Sequence, residues 1–193
     1  MDFGTNGSGA STVGTLTGGA FWFPSYEAVS SVSDESGNLI FFTNGVSLWD
    51  AGGNAVAIPG GRLKTGAEIA SGDAGSAVQG VFVVKHPLDP NNYYIFCTDD
   101  AIYGQNGTTN GFNYFVYNKT NATVTGPTRL GNYRTTEQVA ATWHSNGIDI
   151  WIVTHEALPL GQEKPSFTQK YNAYLLSCTG VNSTAVSSTL DLK

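Results

Sequence analysis

Charge is scarce in this chain. Asp, Glu, Lys and Arg together make up 12% of its 193 residues, about half the usual share. The nine cations are outnumbered by fifteen anions, for a formal net charge of −6 and a pI near 4.8. No basic surface is therefore expected to attract a phosphate backbone or an anionic membrane, and nucleic acid drops out as a partner. Apolar runs are short, none reaching the roughly 18 residues of a membrane helix, so membrane insertion is not expected either. Met1 to Ser11 has neither the charged start nor the apolar stretch of a signal peptide. Cysteine is limited to Cys97 and Cys178. They are too far apart for a zinc pattern or a CxxC pair, which leaves buried thiols or one long-range disulfide. Enzyme signatures are absent too: there is no GxSxG elbow, HExxH helix, P-loop or GxGxxG. No amphipathic helix stands out.

Glycine, with 24 residues, and aromatics, at 12%, are plentiful. The aromatics exclude a disordered chain, and the Gly, Ser, Thr and Asn that replace charge point to turn-rich β structure. Nearly every apolar run is short, rich in Val, Ile, Tyr, Phe or Trp, and closed by Gly, Asn, Asp or Pro, which is the strand-and-turn pattern. Three runs are alike: Leu39-Ile40-Phe41-Phe42-Thr43, Tyr94-Ile95-Phe96-Cys97-Thr98 and Ile150-Trp151-Ile152-Val153-Thr154. Each follows another apolar strand and a tight polar turn, at Ser33–Asn38, His86–Asn92 and His144–Gly147. Each also precedes a third strand and then a short fourth one beginning near Asn54, Asn121 or Asn182. A four-stranded unit recurring roughly every 55 residues is the mark of a β-propeller blade.

The fold expectation is thus all-β and β-propeller-like, with about three four-stranded antiparallel blades near residues 21–56, 77–125 and 137–187. A Gly/Ser/Thr-rich segment, residues 1–20, precedes a single β domain over 21–193. A β-sandwich is the alternative. Three blades do not close a ring, so the chain is expected to be a homo-oligomer or part of a longer chain or larger particle.

The run Val32-Ser33-Asp34-Glu35-Ser36-Gly37-Asn38-Leu39-Ile40-Phe41-Phe42-Thr43-Asn44-Gly45 with Leu48-Trp49 is followed by Pro90-Asn91-Asn92-Tyr93-Tyr94-Ile95-Phe96 and then by His144-Ser145-Asn146-Gly147-Ile148-Asp149-Ile150-Trp151-Ile152-Val153-Thr154-His155-Glu156. In this order the three motifs resemble the N-terminal β-propeller-like region of large Bacteroidetes cell-surface proteins exported by the type IX secretion system, those ending in a gliding-motility-type sorting domain. The resemblance spans roughly residues 21 to 186. It implies an exported surface protein and brings no catalytic residues with it. The sorting domain itself is not within these residues.

Strand parity sends the long connections, Ala57–Gly80, Asp99–Gly111, Gly126–Gln138 and Glu156–Lys170, to one end of the blades. The binding candidates there are Arg62, Asp99, Asp100, Tyr103, Tyr133, Arg134, Glu137, His155 and Glu156. Amides, carboxylates and aromatics suit the hydroxyls and ring faces of sugars, so a glycan or a surface protein is the expected partner. Asp99 and Asp100 could hold calcium through hard oxygen ligands; no other metal or cofactor is expected. His86 and His144 read as repeated turn-packing residues at the opposite end from His155, and Trp49, Trp143 and Trp151 as core.

The leading functional expectation is a non-catalytic extracellular recognition, adhesion or display module at a cell surface. A structural or receptor-binding protein of a virus particle is the second. A glycoside hydrolase is the third. It would use Arg62, Arg129 and Arg134 as a carboxylate clamp and Asp99, Glu137 or Glu156 as paired carboxylates.

Overall fold

The computed structural model describes residues 27–63, 77–98, 111–158 and 167–190, and among these there is no helix. The described chain is all-β. Its strands form three antiparallel sheets, none of them closed, and neighbours follow chain order in each except for the last strand of the third. The first holds β1 (Ser30–Ser33), β2 (Leu39–Thr43) and β3 (Leu48–Asp50). The second holds β4 (Val81–Lys85), β5 (Asn92–Cys97), β6 (Phe112–Asn118) and β7 (Thr123–Gly131). The third holds β8 (Thr135–Trp143), β9 (Ile150–Ala157), β10 (Phe167–Ser177), β11 (Gly180–Val181) and β12 (Val186–Thr189).

Four strands per unit holds in full only for the second sheet. In the first, the fourth position shrinks to a bridge between Trp49 and Ala55 and a bond from the Val56 amide to the Leu48 carbonyl. In the third it is interrupted. β11 pairs Leu176–Ser177 and β12 pairs Lys170–Ala173, two successive stretches of the same strand. Asn182 to Ala185 between them is polar and turn-forming, and it breaks the ladder.

The second sheet is covered on both faces. On β5, Tyr93, Ile95 and Cys97 join Phe41, Leu48 and Leu63 in one core, while Tyr94 and Phe96 join Ile152, Tyr174 and Leu176 in another. The period of two divides a single apolar run between two cores. Among the described residues the third sheet buries its inner face the more fully, and β9 accordingly alternates: Ile150, Ile152 and Thr154 are buried, and Trp151, Val153 and His155 are half-buried.

The tryptophans correct the expectation that all are core. Trp143 is 62% exposed, at the end of a sheet edge. Trp49 and Trp151 are half-buried, because both sit on outward faces of the first and third sheets, opposite Phe42 and between Thr142 and Leu175 respectively. The cysteines are not bonded to each other: Cys97 is buried in the first core and Cys178 is exposed.

The first strands of the three sheets adjoin one another, β1 against β4 and β4 against β8. A parallel bridge joins Gln79 to Gln138, and the Gln79 amide donates to the Glu137 carbonyl at 2.9 Å. A groove of about 450 Å³ with both apolar and polar lining runs along these strands, past Val29, Gln79, Val81, Val139 and Ala140.

One stretch expected as a long connection, Gly126–Gln138, is mostly strand. β7 runs on to Gly131 and β8 starts at Thr135, leaving three residues between them. Pro127 does not break the strand. It lies on the outer strand of its sheet, beside a bulge between Tyr114 and Val116, where its missing amide removes no ladder bond.

Candidate functional site

The ends from which the longest connections leave lie together. The Thr98 amide bonds the Gly80 carbonyl, Phe112 pairs with Gly131, the Ala157 amide bonds the Arg134 carbonyl, and Phe167 pairs with Ala157. The Leu63 amide bonds Val46, in the turn between β2 and β3. The segments 64–76, 99–110 and 159–166 therefore all depart from one end of the sheets. Asp99, Asp100 and Tyr103, the calcium candidates included, lie outside the described residues, as do Lys64, Glu68, Asp73, Gln105 and Asn106. Among the described residues no group of three or more His, Cys, Asp or Glu side chains could hold a metal.

The remaining candidates divide into separate groups. Tyr133 and Glu156 share a polar network that closes the end of the second core. The Glu156 carboxylate accepts from Lys170 Nζ at 3.0 Å and from Asn172 Nδ2 at 3.2 Å, and Ser187 Oγ donates to Asn172 Oδ1 at 2.6 Å. The Tyr133 and Tyr174 hydroxyls meet at 3.0 Å, and Tyr174 donates to the Leu130 carbonyl at 3.2 Å. Since that bond takes the Tyr174 proton, Tyr133 is the donor to Tyr174. Burial, and then the bond to Tyr174, push the Tyr133 phenol far above its ordinary range; burial also raises Tyr174. Both stay protonated, as the network requires.

Glu137 turns elsewhere. It is 7% exposed with φ +67°, and its Oε2 accepts from the Val78 amide at 3.2 Å. The register slips between Thr135 and Val139, so Glu137 sits in a bulge that aims it at the start of β4. Arg134 Nη1 donates to the Leu158 carbonyl and Arg129 Nε to the Gly131 carbonyl. His155 lies on the outward face, stacked on Tyr171 at 4.3 Å and bonded through Nε2 to the Thr168 carbonyl. Arg62 belongs to the segment beside the first sheet, next to the buried Leu63. The described candidates other than Arg62 thus each bond or stack at a strand end or on a sheet face.

At the opposite end the three hairpins use one device. The first-strand residue before each turn, Asp34, His86 or His144, bonds through its amide to the carbonyl of Asn38, Asn92 or Asp149. The same residue's side chain accepts from amides inside the turn: Asp34 from Ser36 and Asn38, His86 Nδ1 from Leu88 and Asp89, His144 Nδ1 from Asn146. Both imidazoles also lie against an aromatic of the next strand, His86 on Tyr94 and His144 on Trp151. Asp50 and Asn54 repeat the aspartate version after β3. Both aspartate turns are D-x-x-G-N, with Gly37 and Gly53 at φ +83° and +79°, where a side chain would be strained.

Sequence reasoning missed Lys170, Asn172, Tyr174 and Ser187. Their signal was present: Lys170, Asn172, Tyr174 and Leu176 alternate along β10, so the polar residues share a face with the apolar one and continue the core outward. Compared with family models, with curated proteins and with solved structures, the chain matches none.

Proposed function

We propose that the chain is a non-catalytic extracellular recognition or display module, built of three propeller-like blades, that binds a glycan or a surface protein through the end carrying its long connections. The observation that carries this reading is that segments 64–76, 99–110 and 159–166 leave from one end of a scaffold whose strands are otherwise joined by tight turns. Three features support the blade-like form: meander sheets stacked face to face, first strands side by side along one groove, and a shared hairpin device. An arc of three such units is completed by further copies or by a longer chain, and light scattering of the purified protein reads which.

The absence of catalysis in this reading is supported by how the two described carboxylate candidates are used, Glu156 by Lys170 and Asn172 and Glu137 by the Val78 amide. Glycan and surface-protein arrays probed with the intact chain test the proposal. Specific capture is expected, lost in Asp100→Ala/Tyr103→Ala without a change in melting temperature. Capture that survives both substitutions, or turnover of a captured glycan that falls in Glu156→Gln, would overturn it.

A further inference from the structure

The hairpin turns opposite the long connections share a form and differ in the chemistry of the acceptor at their head. In the first sheet the acceptor is the Asp34 carboxylate, which takes the Ser36 and Asn38 amides and the Asn38 side chain. In the second it is the His86 ring, whose Nδ1 takes the Leu88 amide at 3.1 Å and the Asp89 amide at 2.8 Å. In the third it is His144 Nδ1, which takes the Asn146 amide at 3.1 Å. A backbone amide only donates, so each Nδ1 has to offer its lone pair while Nε2 carries the ring proton. Both turns are therefore built on a neutral imidazole.

A second proton on either ring goes to Nδ1, where the amides already point, and makes both ring nitrogens donors. Donor then faces donor, and the ring has to turn away. The carboxylates of these turns have partners of their own: Asp89 takes the Asn91 amide and Asn92 Nδ2, and Asp149 takes Asn146 Nδ2. Their charge attracts an imidazolium but adds no acceptor for the Leu88, Asp89 and Asn146 amides. Around His86 the other ionisable groups are Lys85, paired with Glu35 of the first sheet, Lys119, whose amide bonds the Asn91 carbonyl, and Tyr94, kept protonated by burial. Beside the His144 turn stands Cys178, in the turn that follows β10. Each ring is half-buried, His86 against Tyr94 and His144 against Trp151, so a ring that leaves uncovers an aromatic face. The two tips also adjoin, since a Cβ at Gly180 of β11 would lie 3.4 Å from the Tyr94 hydroxyl.

We propose that His86 and His144 make the tips of the second and third sheets acid-responsive: a proton on each imidazole removes the acceptor of its turn and opens it, while the first tip, headed by Asp34, stays closed. The inference is independent of the long-connection end and stands or falls without it.

NMR of the intact chain from about pH 8 to 5, the range in which imidazoles change charge, tests it. The Leu88 and Asp89 amides should shift along the same curve as the His86 Cε1 proton, and the Asn146 amide along that of His144. Their protection from exchange, relative to the intrinsic rate at each pH, should fall about fivefold, as the loss of one neutral hydrogen bond would give. The Ser36 amide of the Asp34 turn should not move in this range. His86→Asp should flatten the Leu88 response and His144→Asp that of Asn146, each leaving the other turn responsive; aspartate already heads the first turn, so both variants should fold. Asp89→Asn and Asp149→Asn should leave the responses in place. Rings that titrate with unmoved amides overturn the proposal, as does a response that survives the aspartate head or disappears in Asp89→Asn or Asp149→Asn. Movement of Ser36 with the histidine midpoints overturns it too, because the whole end would then be opening.

Discussion

Strands β5 and β9 hold the same place in consecutive sheets, each second in its meander and each entered through a histidine-headed turn, yet they are buried differently. Every residue of β5 from Tyr93 to Cys97 is buried, whereas β9 alternates. Their sequences, Tyr-Ile-Phe-Cys and Ile-Trp-Ile-Val, are equally apolar. What differs is the neighbourhood: β5 lies in a sheet covered on both sides, β9 in one whose outward face carries Trp151, Val153, Ala173 and Leu175. Local pattern settles that a run is a strand. How many of its faces are dry depends on which sheets lie beside it.

The sharpest way to break this comparison is to truncate one aromatic in each strand. Phe96 is fully buried and stacks on Phe112 and Tyr94; Phe96→Ala should cost about 3 to 5 kcal/mol. Trp151→Ala removes a larger side chain from a half-covered position and should cost roughly 1 to 2 kcal/mol, in proportion to the smaller area lost. Urea unfolding followed by far-UV circular dichroism measures both. A Trp151 cost equal to that of Phe96 would mean that the outward face of the third sheet is buried in solution.

The next contrast lies within one network. Tyr174 stands between Tyr133 and the Leu130 carbonyl, so Tyr174→Phe leaves both without their partner at the end of the core, and a loss of about 1 to 3 kcal/mol is expected. Tyr133→Phe keeps the Tyr174–Leu130 bond but also removes the acceptor of a bond from Asn172, and should cost somewhat less. The same unfolding experiment ranks them, and the reverse order would show that the donor sequence runs the other way.

These cases also mark how far the sequence was legible. The all-β class, the three runs and the hairpin turns could be read from periodicity and turn residues, because both are local. The roles of His86 and His144 were readable from their repeated place before a turn. Pro127 was not, since an edge position and a bulge depend on the partner strand. Trp143 was not, because a strand end does not announce that its core has stopped. The candidates at the long-connection end were gathered by strand parity, which assigns an end but not a direction: Glu137, His155 and Glu156 share that end and face three different ways.

A finer comparison sets the histidine turn against the aspartate turn. If Asp34 and His144 do the same work, His144→Ala should cost about 1 kcal/mol, as loss of a turn-capping side chain does, and His144→Asp should recover most of it. Failure of aspartate to rescue would mean that the imidazole matters for its contact with Trp151, 5.7 Å away, more than for its acceptor nitrogen.

The smallest expected effect is the response of the aspartate turns to acid. Bonds from the Asn38 side chain and amide hold Asp34 below its ordinary 3.8. At Asp50, burial acts upward, but bonds from Asn54, Gly52 and Gly53 outweigh it and the net shift is again downward. A carboxylate lowered in the folded state stabilises the fold above its unfolded value, and that contribution is lost as pH falls through the folded one. Both turns should therefore keep their form through the mildly acidic range and loosen only below 3.8. The amide shifts of Ser36 and Gly52, followed by NMR from neutral to strongly acidic pH, report the midpoints directly, since each amide donates to the carboxylate being titrated. Asn38→Ala and Asn54→Ala should each move the corresponding midpoint upward and leave the other unmoved, because the two turns share no bond. A common midpoint for both turns that neither substitution moves would mean that acid opens the sheets as one unit, with no separate step at the aspartates.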